Sequence, residues 1–241
     1  MTAAWDDPRI SRGMAAQLAH RRELLNAGQK PIGWKLAFGG PAAMERLQIN
    51  APLAGFLMQS AAVPTGATLS LSNWKKPAAE PEIAVYLSKD LPAGSGRRTA
   101  IDAIAGIGLA IEVADVDHPA DDVEGTLARN IYQRHVILGR KDITRAGGIL
   151  DGLTGRVLRN GSELAQVSGC ASLQALTGEL IDIVRHVADL LAVFGETLQA
   201  GQIIIAGSII PPIWVAASDD IIFRLAPGDT VSVRFASESR V

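Results

Sequence analysis

Apolar residues recur near the helical period between Asp7 and Asn26, at Ile10, Met14, Leu18 and Leu25, and Gly28 follows as a natural stop. PIGWKLAFGG then predicts a short strand closed by glycines, with one charge, Lys35, in an apolar run. Residues 41–48 fit a short helix, and APLAGFLM fits a turn and strand. In KKPAAEPEIAVYLSKDL the alternation of a strand puts Glu80, Glu82, Ala84 and Tyr86 on one face and Ile83, Val85 and Leu87 on the other. PAGSGRR predicts a flexible insert, followed by a small-residue helix from about Ala100 to Gly106. GLAIEVADVDHP is a further strand with Glu112 at its centre, and Asn160-Gly161 between two strand-like runs predicts a type I′ hairpin. The longest predicted helix runs from about Leu173 to Phe194, with Leu173, Leu176, Leu180, Ile183, Val187, Leu190 and Phe194 on one face and Gly195 closing it. Two late strands, QIIIAGS and DTVSVRF, finish the chain.

This order lacks a regular βαβ alternation and is rich in hairpins, which predicts an α+β fold with a mixed, mostly antiparallel sheet and packed helices. Without repeats, low-complexity tracts or a convincing linker, the economical organisation is a single catalytic domain over residues 1–241, with a helical N-terminal lead at about 6–28.

Composition narrows the class. With 48% hydrophobic residues the 241-residue chain can fill a sizeable core, and its formal net charge of -2 offers no polybasic footprint for nucleic acid or anionic membrane. The single cysteine, Cys170, excludes an intramolecular disulfide and a Cys-based zinc site. The N-terminus lacks the layout of a secretory signal, and QIIIAGSIIPPIWVAA is too short and too broken by Gly and Pro to span a bilayer. The expectation is a soluble cytoplasmic protein with neither nucleic-acid nor membrane partners.

Three glutamates, Glu80, Glu82 and Glu112, sit in or beside apolar strands, where like charges repel and lose hydration. A hard divalent cation such as Mg²⁺ or Mn²⁺ would neutralise them and take their oxygens as ligands. The alternative is a solvated strand edge. Lys35 poses the same choice, between an edge residue snorkelling to water and a cation beside the carboxylates that binds an acidic substrate or moves a proton.

Together, GWKLAF, INAPLAGFL, AEPEIAVYLSKDL, AIEVADVDHP, RNIYQRHVILG and LQAGQIIIAGSIIPP…PGDTVSVRF resemble the fumarylacetoacetate hydrolase superfamily, in its 2-keto-4-pentenoate hydratase and 4-oxalocrotonate decarboxylase branch. The resemblance spans about residues 6 to 236. It implies a mixed sheet curled around the site, homo-oligomeric assembly and a small 2-oxo acid substrate. It also implies Mg²⁺ or Mn²⁺ on Glu80, Glu82 and Glu112, Lys35 as the catalytic acid/base or carboxylate-binding group, and Asn130, Gly207 and Ser208 near the substrate. The implied activity is a metal-dependent hydratase acting on a 2-oxo or 2-hydroxydienoic acid in aromatic-compound degradation. A 4-oxalocrotonate-type decarboxylase and an acylpyruvate-type C–C hydrolase are the enzyme alternatives. A non-catalytic subunit, in complex with a related hydratase or decarboxylase, is the alternative from another class. Leu53, in place of an Asp, and Arg129, in place of the Asp before the matched Asn, keep that one open; Ala37-Phe38 in place of Thr-Ser and the lack of an expected arginine in DVDHP are further departures from the family pattern.

Other residues read more plainly. His118 is expected to be exposed in its loop, His135 to lie near Asn130 as a lesser site candidate, and His20 and His186 to be structural or exposed. Arg129 and Arg134 could pair with a substrate carboxylate or be solvated. Cys170 is expected to pack, and Trp34 and Trp214 to be core residues rather than pocket walls.

Overall fold

The computed structural model describes residues 4–174 and 178–237. In chain order the elements are α1 (Pro8–Asn26), β1 (Pro31–Ala37), α2 (Pro41–Leu47), β2 (Leu53–Met58), β3 (Ala62–Val63), β4 (Ala67–Ser70) and β5 (Pro77–Leu87). They continue with α3 (Arg97–Ala103), β6 (Ile104–Asp115), α4 (Val123–Ala128), β7 (Gln133–Leu138), β8 (Thr154–Arg159), β9 (Ser162–Ser168) and α5 (Cys170–Leu173). The last are α6 (Leu180–Val193), β10 (Ile203–Ser208), β11 (Ile213–Trp214), β12 (Asp220–Ala226) and β13 (Thr230–Ala236).

An eight-stranded sheet runs β2-β1-β10-β5-β6-β7-β3, with β11 added on β5. Only β1–β10 and β3–β7 pair in parallel; the other pairs of this sheet are antiparallel. The two end strands, β2 and β3, are separated by the three residues Gln59–Ala61. Four Cα steps reach at most about 15 Å, so the ends of the sheet must come round to one another. The sheet is therefore curled, with an inner and an outer face. A second sheet, β4-β13-β12-β8-β9, packs outside it. The larger core lies on the outer face, where Ile83, Val85, Ile107, Leu109, Ile111, Trp34 and Ile204 meet α6 residues such as Val184, Val187 and Leu191. A smaller cluster of Leu57, Ala84, Ala110, Val136 and Ile205 fills the inner face.

Local signals explain most element ends. Asp7 caps α1 by accepting from the Arg9 N–H at 2.9 Å, and Pro8 occupies the first helical position. The Asn160-Gly161 hairpin forms as expected, with positive φ at both residues (53° and 81°). Three expectations need correction. The helix expected over Leu173–Phe194 is two helices, because Gly178 takes φ 113° and Glu179 is the extended cap before Leu180; Leu176 lies outside the described residues. The longest described helix is instead α1. The helix expected over Ala100–Gly106 begins at Arg97 and stops at Ala103, since Ile104 and Gly106 pair with Leu87 and Tyr86 of β5. Between the two late strands expected, β12 is an additional strand that pairs with both β8 and β13.

Candidate metal centre

β5 and β6 lie in the middle of the curled sheet, and their register sets Glu80 opposite Glu112 and Glu82 opposite Ala110. Opposed residues share a sheet face, so the alternation that aligns Glu80 with Glu82 brings Glu112 beside them on the inner face. One carboxylate oxygen from each lies within 4.8 Å of the others. Glu82 and Glu112 are fully buried and Glu80 partly so, which excludes a solvated edge.

Lys35 reaches the same place from β1, an interior strand between β2 and β10. It is 1% exposed and does not snorkel. Its ammonium donates to Glu112 Oε1 and, at 2.9 Å, to the Ile131 carbonyl. From β10, the Gly207 N–H donates to Glu82 Oε2 at 2.8 Å. Ser208 stands opposite Glu82, its Oγ 3.4 Å from the Pro81 carbonyl oxygen.

Asn130 closes the gap between β2 and the approach to β7. Its Oδ1 accepts from the Phe56 N–H at 2.7 Å and its Nδ2 donates to the Phe56 carbonyl at 2.9 Å, so the carboxamide acts as an extra rung on the free edge of β2. Asn130, Ile131 and Tyr132 are all left-handed, with φ of 56°, 49° and 64°. Such a run costs roughly 1–2 kcal/mol per residue without glycine, and here it aims the Ile131 carbonyl at Lys35. Helix α1 braces the turn: the Gln17 amide donates to Ala54 and Leu127 carbonyls at 3.1 and 2.9 Å. Close helix contact at Gly13, where an added Cβ would lie 2.7 Å from Leu127 Cβ, keeps α1 and α4 together.

Burial is the main reason the carboxyls hold protons more tightly than usual. It lifts Glu80 to about 7, with the Glu112 charge adding to the rise and Lys35 opposing it. Glu82 goes well above the ordinary value through burial first, then the charges of Glu112 and Glu80. Glu112 is raised by burial against the pull of Lys35. Among the described residues, Glu82 Oε1 and Glu112 Oε2 have no hydrogen-bond partner. Orphaned, buried carboxylate oxygens are costly, and three hard oxygen donors at this spacing suit Mg²⁺ or Mn²⁺.

The remaining sequence candidates fall elsewhere. His135 pairs with Val113, so it stands on the outer face and stacks on Trp74. His118 is not an exposed loop residue: it is half-buried, 2.6 Å from Asp117 through Nδ1 and 4.5 Å from the Tyr132 ring. His20 is exposed, and His186 Nε2 lies 3.0 Å from the Pro52 carbonyl oxygen. Arg129 is exposed, and Arg134 lies 3.4 Å from Asp117. Cys170 is half-buried and donates to Asp151. Trp34 is a core residue as expected, whereas Trp214 is 46% exposed. The Ile131 carbonyl was invisible to residue-type reasoning, since a main-chain acceptor leaves no signature; only the flanking Asn130 hinted at that turn.

Fold and site together define a class: a curled-sheet protein whose inner face gathers three carboxylates and a lysine into a cluster able to hold a divalent cation. The chain belongs to the fumarylacetoacetate hydrolase family, whose model, described as Fumarylacetoacetate (FAA) hydrolase C-terminal, matches residues 25–239. Among curated proteins it is similar to a 4-oxalocrotonate decarboxylase of Pseudomonas putida, with 29% identity over 89% of this chain and 81% of the relative. It is also similar to a 2-hydroxyhexa-2,4-dienoate hydratase of Comamonas testosteroni, with 27% identity over 87% of this chain and 80% of the relative. A solved 4-oxalocrotonate decarboxylase from Pseudomonas putida G7, complexed with magnesium and adipate, superposes with a TM-score of 0.84 at 28% identity, covering 94% of this chain and 86% of the other.

Proposed function

We propose that this protein is a divalent-metal-dependent lyase of the hydratase/decarboxylase branch, acting on a small 2-oxo or 2-hydroxydienoic acid from aromatic-compound degradation, with hydration as the leading reaction. The observation that carries the proposal is the buried cluster of Glu80, Glu82 and Glu112 with two orphaned oxygens and Lys35 in contact. Glu80, Glu82 and Glu112 hold Mg²⁺ or Mn²⁺, which when bound supplies Lewis-acid stabilisation to the enolate of a 2-oxo acid. Lys35 Nζ, held by Glu112 and the Ile131 carbonyl, delivers or accepts a proton at the substrate chain. The Gly207 N–H keeps Glu82 oriented, and Ser208 lines the substrate approach. Asn130 serves the substrate indirectly, by fixing the turn that presents Ile131. Apolar Leu57, Ala84, Ala110, Val136 and Ile205 exclude bulk water from the inner face.

Decarboxylation is the second reading, and a specific feature favours it. On β1, β2 and β10 the inner-face positions beside Lys35 are Ala37, Leu53, Gly55 and Ile205, which carry no titratable group, so its titratable neighbour is the metal-site Glu112. Loss of CO₂ needs an electron sink and one proton donor, whereas hydration also needs a group that activates water. We further propose a single catalytic domain, homo-oligomeric assembly and a cytoplasmic setting. None of the described helices is long and apolar enough to cross a membrane.

The test is calorimetric titration of Mg²⁺ and Mn²⁺ into chelator-stripped protein with oxalate or pyruvate present, repeated on Glu82→Gln. Metal-dependent binding of the acid, weakened at least tenfold to a hundredfold in the variant, is expected, on the order seen when a metal's supporting groups are lost. Absence of metal binding by the wild-type chain overturns the proposal.

A further inference from the structure

β11 lies along β5 with Trp214 opposite Ala78. Ala78 shares its face with Glu80 and Glu82, and opposed residues share a face, so Trp214 stands at the rim of the carboxylate cluster. It lies one pleat repeat, about 7 Å, along the strand from Glu80. The indole is 46% exposed, and the Lys76 ammonium sits 4.1 Å from its ring centroid. The Lys76 backbone is anchored on both sides: its N–H donates to Asp115 Oδ1 at 2.8 Å and its carbonyl accepts from the Val116 N–H at 3.0 Å.

Among the described residues no carboxylate forms an ion pair with Lys76, whereas nearby Arg134 is engaged by Asp117 at 3.4 Å and Asp115 at 3.7 Å. An ammonium resting on an aromatic face keeps its N–H groups free for an acceptor. Ion pairing to Asp or Glu would have consumed them. The rim therefore combines an uncommitted cation, a preorganised position and an apolar surface.

We infer that Lys76 and Trp214 are a specificity-determining pair that recognises a second, distal carboxylate on the substrate. This inference rests on the function proposed above, which seats the 2-oxo acid end at Glu80, Glu82 and Glu112. The substrate class it selects is a 2-oxo acid that carries a distal carboxylate, in preference to one that ends in an alkyl group. Trp214 covers the middle of that acid while Lys76 meets its far end. The pair recognises the carboxylate and does not by itself decide whether it is later lost.

The test uses the Mg²⁺-loaded chain and measures affinities by calorimetry for oxalate, 2-oxoadipate and 2-oxohexanoate, the last two differing only in the distal group. Wild type is expected to prefer the diacid about tenfold, the scale of one charge-assisted contact at a partly open site. Lys76→Gln removes the preference and leaves oxalate binding unchanged. Lys76→Arg, which also stacks on indole, retains it, and Trp214→Leu weakens both six-carbon acids. If oxalate binds but wild type shows no preference, or Lys76→Gln keeps it, the rim pair is not the determinant and the metal site stands. If oxalate does not bind, the metal-site reading fails and this inference fails with it.

Discussion

At the scale of the residue, Lys35 occupies the least replaceable position in the cluster. Its ammonium is the countercharge for Glu112 in a place that water does not reach. Removing one member of a buried pair typically costs about 3–5 kcal/mol, because the other charge is stranded. Glu112, already raised by burial, would take up a proton in response. Lys35→Met is therefore expected to lower metal-free stability by about 2–4 kcal/mol at neutral pH, below the full cost because that proton relieves it. Turnover of the variant should fall by about 10²–10⁴, and its Mg²⁺ affinity should depend more steeply on pH, since Glu112 must release that proton to hold the cation. Denaturant unfolding, steady-state kinetics and metal titration of the one variant separate these effects. Undiminished turnover would remove Lys35 from the chemistry.

At the scale of the element, the left-handed turn at Asn130–Tyr132 links helices α1 and α4 to the site. Neither Ile131 nor Tyr132 favours positive φ, so the conformation persists because its surroundings hold it. Asn130 tolerates the left-handed region and spends its carboxamide on Phe56 of β2. In Asn130→Ala both hydrogen bonds vanish, leaving the Phe56 N–H and carbonyl without their partners. A loss of about 2–4 kcal/mol is expected, together with lower kcat as the Ile131 carbonyl drifts from Lys35. Equal protection of the Phe56 amide in hydrogen exchange of the variant and the wild type would show that the clamp is dispensable.

At the scale of the whole molecule, curling of the sheet concentrates like charge in a dry interior, and pH should reveal it. Glu80 is raised from 4.5 to about 7 and Glu82 is also raised well above the ordinary value, so the folded protein binds more protons than the unfolded chain above the ordinary carboxylate range. Their contribution is complete below the unfolded value and is lost as pH rises through the folded one. In chelator, the melting temperature is expected to fall from about pH 5 to pH 8, by roughly 5 °C if about 2 kcal/mol is at stake. Saturating Mg²⁺ should flatten that slope, because the cation replaces the protons and adds its own binding energy to the folded state. A thermal-shift series with and without metal checks this, and a flat metal-free profile would contradict the electrostatics.

By itself, the sequence determined what is set by neighbours along the chain. Period-two alternation put Glu80 and Glu82 on one face, Asn160-Gly161 set the hairpin, and Asp7-Pro8 began α1. Ordered motifs along the chain carried the family. Tertiary structure decided what depends on distant partners. The β5–β6 register brought Glu112 opposite Glu80, and the interior place of β1 turned Lys35 from a snorkelling candidate into a buried ion pair. Strand pairing ended the helix before Ile104, and β11 left Trp214 at the rim instead of in the core. Periodicity records which face a side chain takes, but burial, ion pairing and main-chain donors arise only when strands remote in sequence meet.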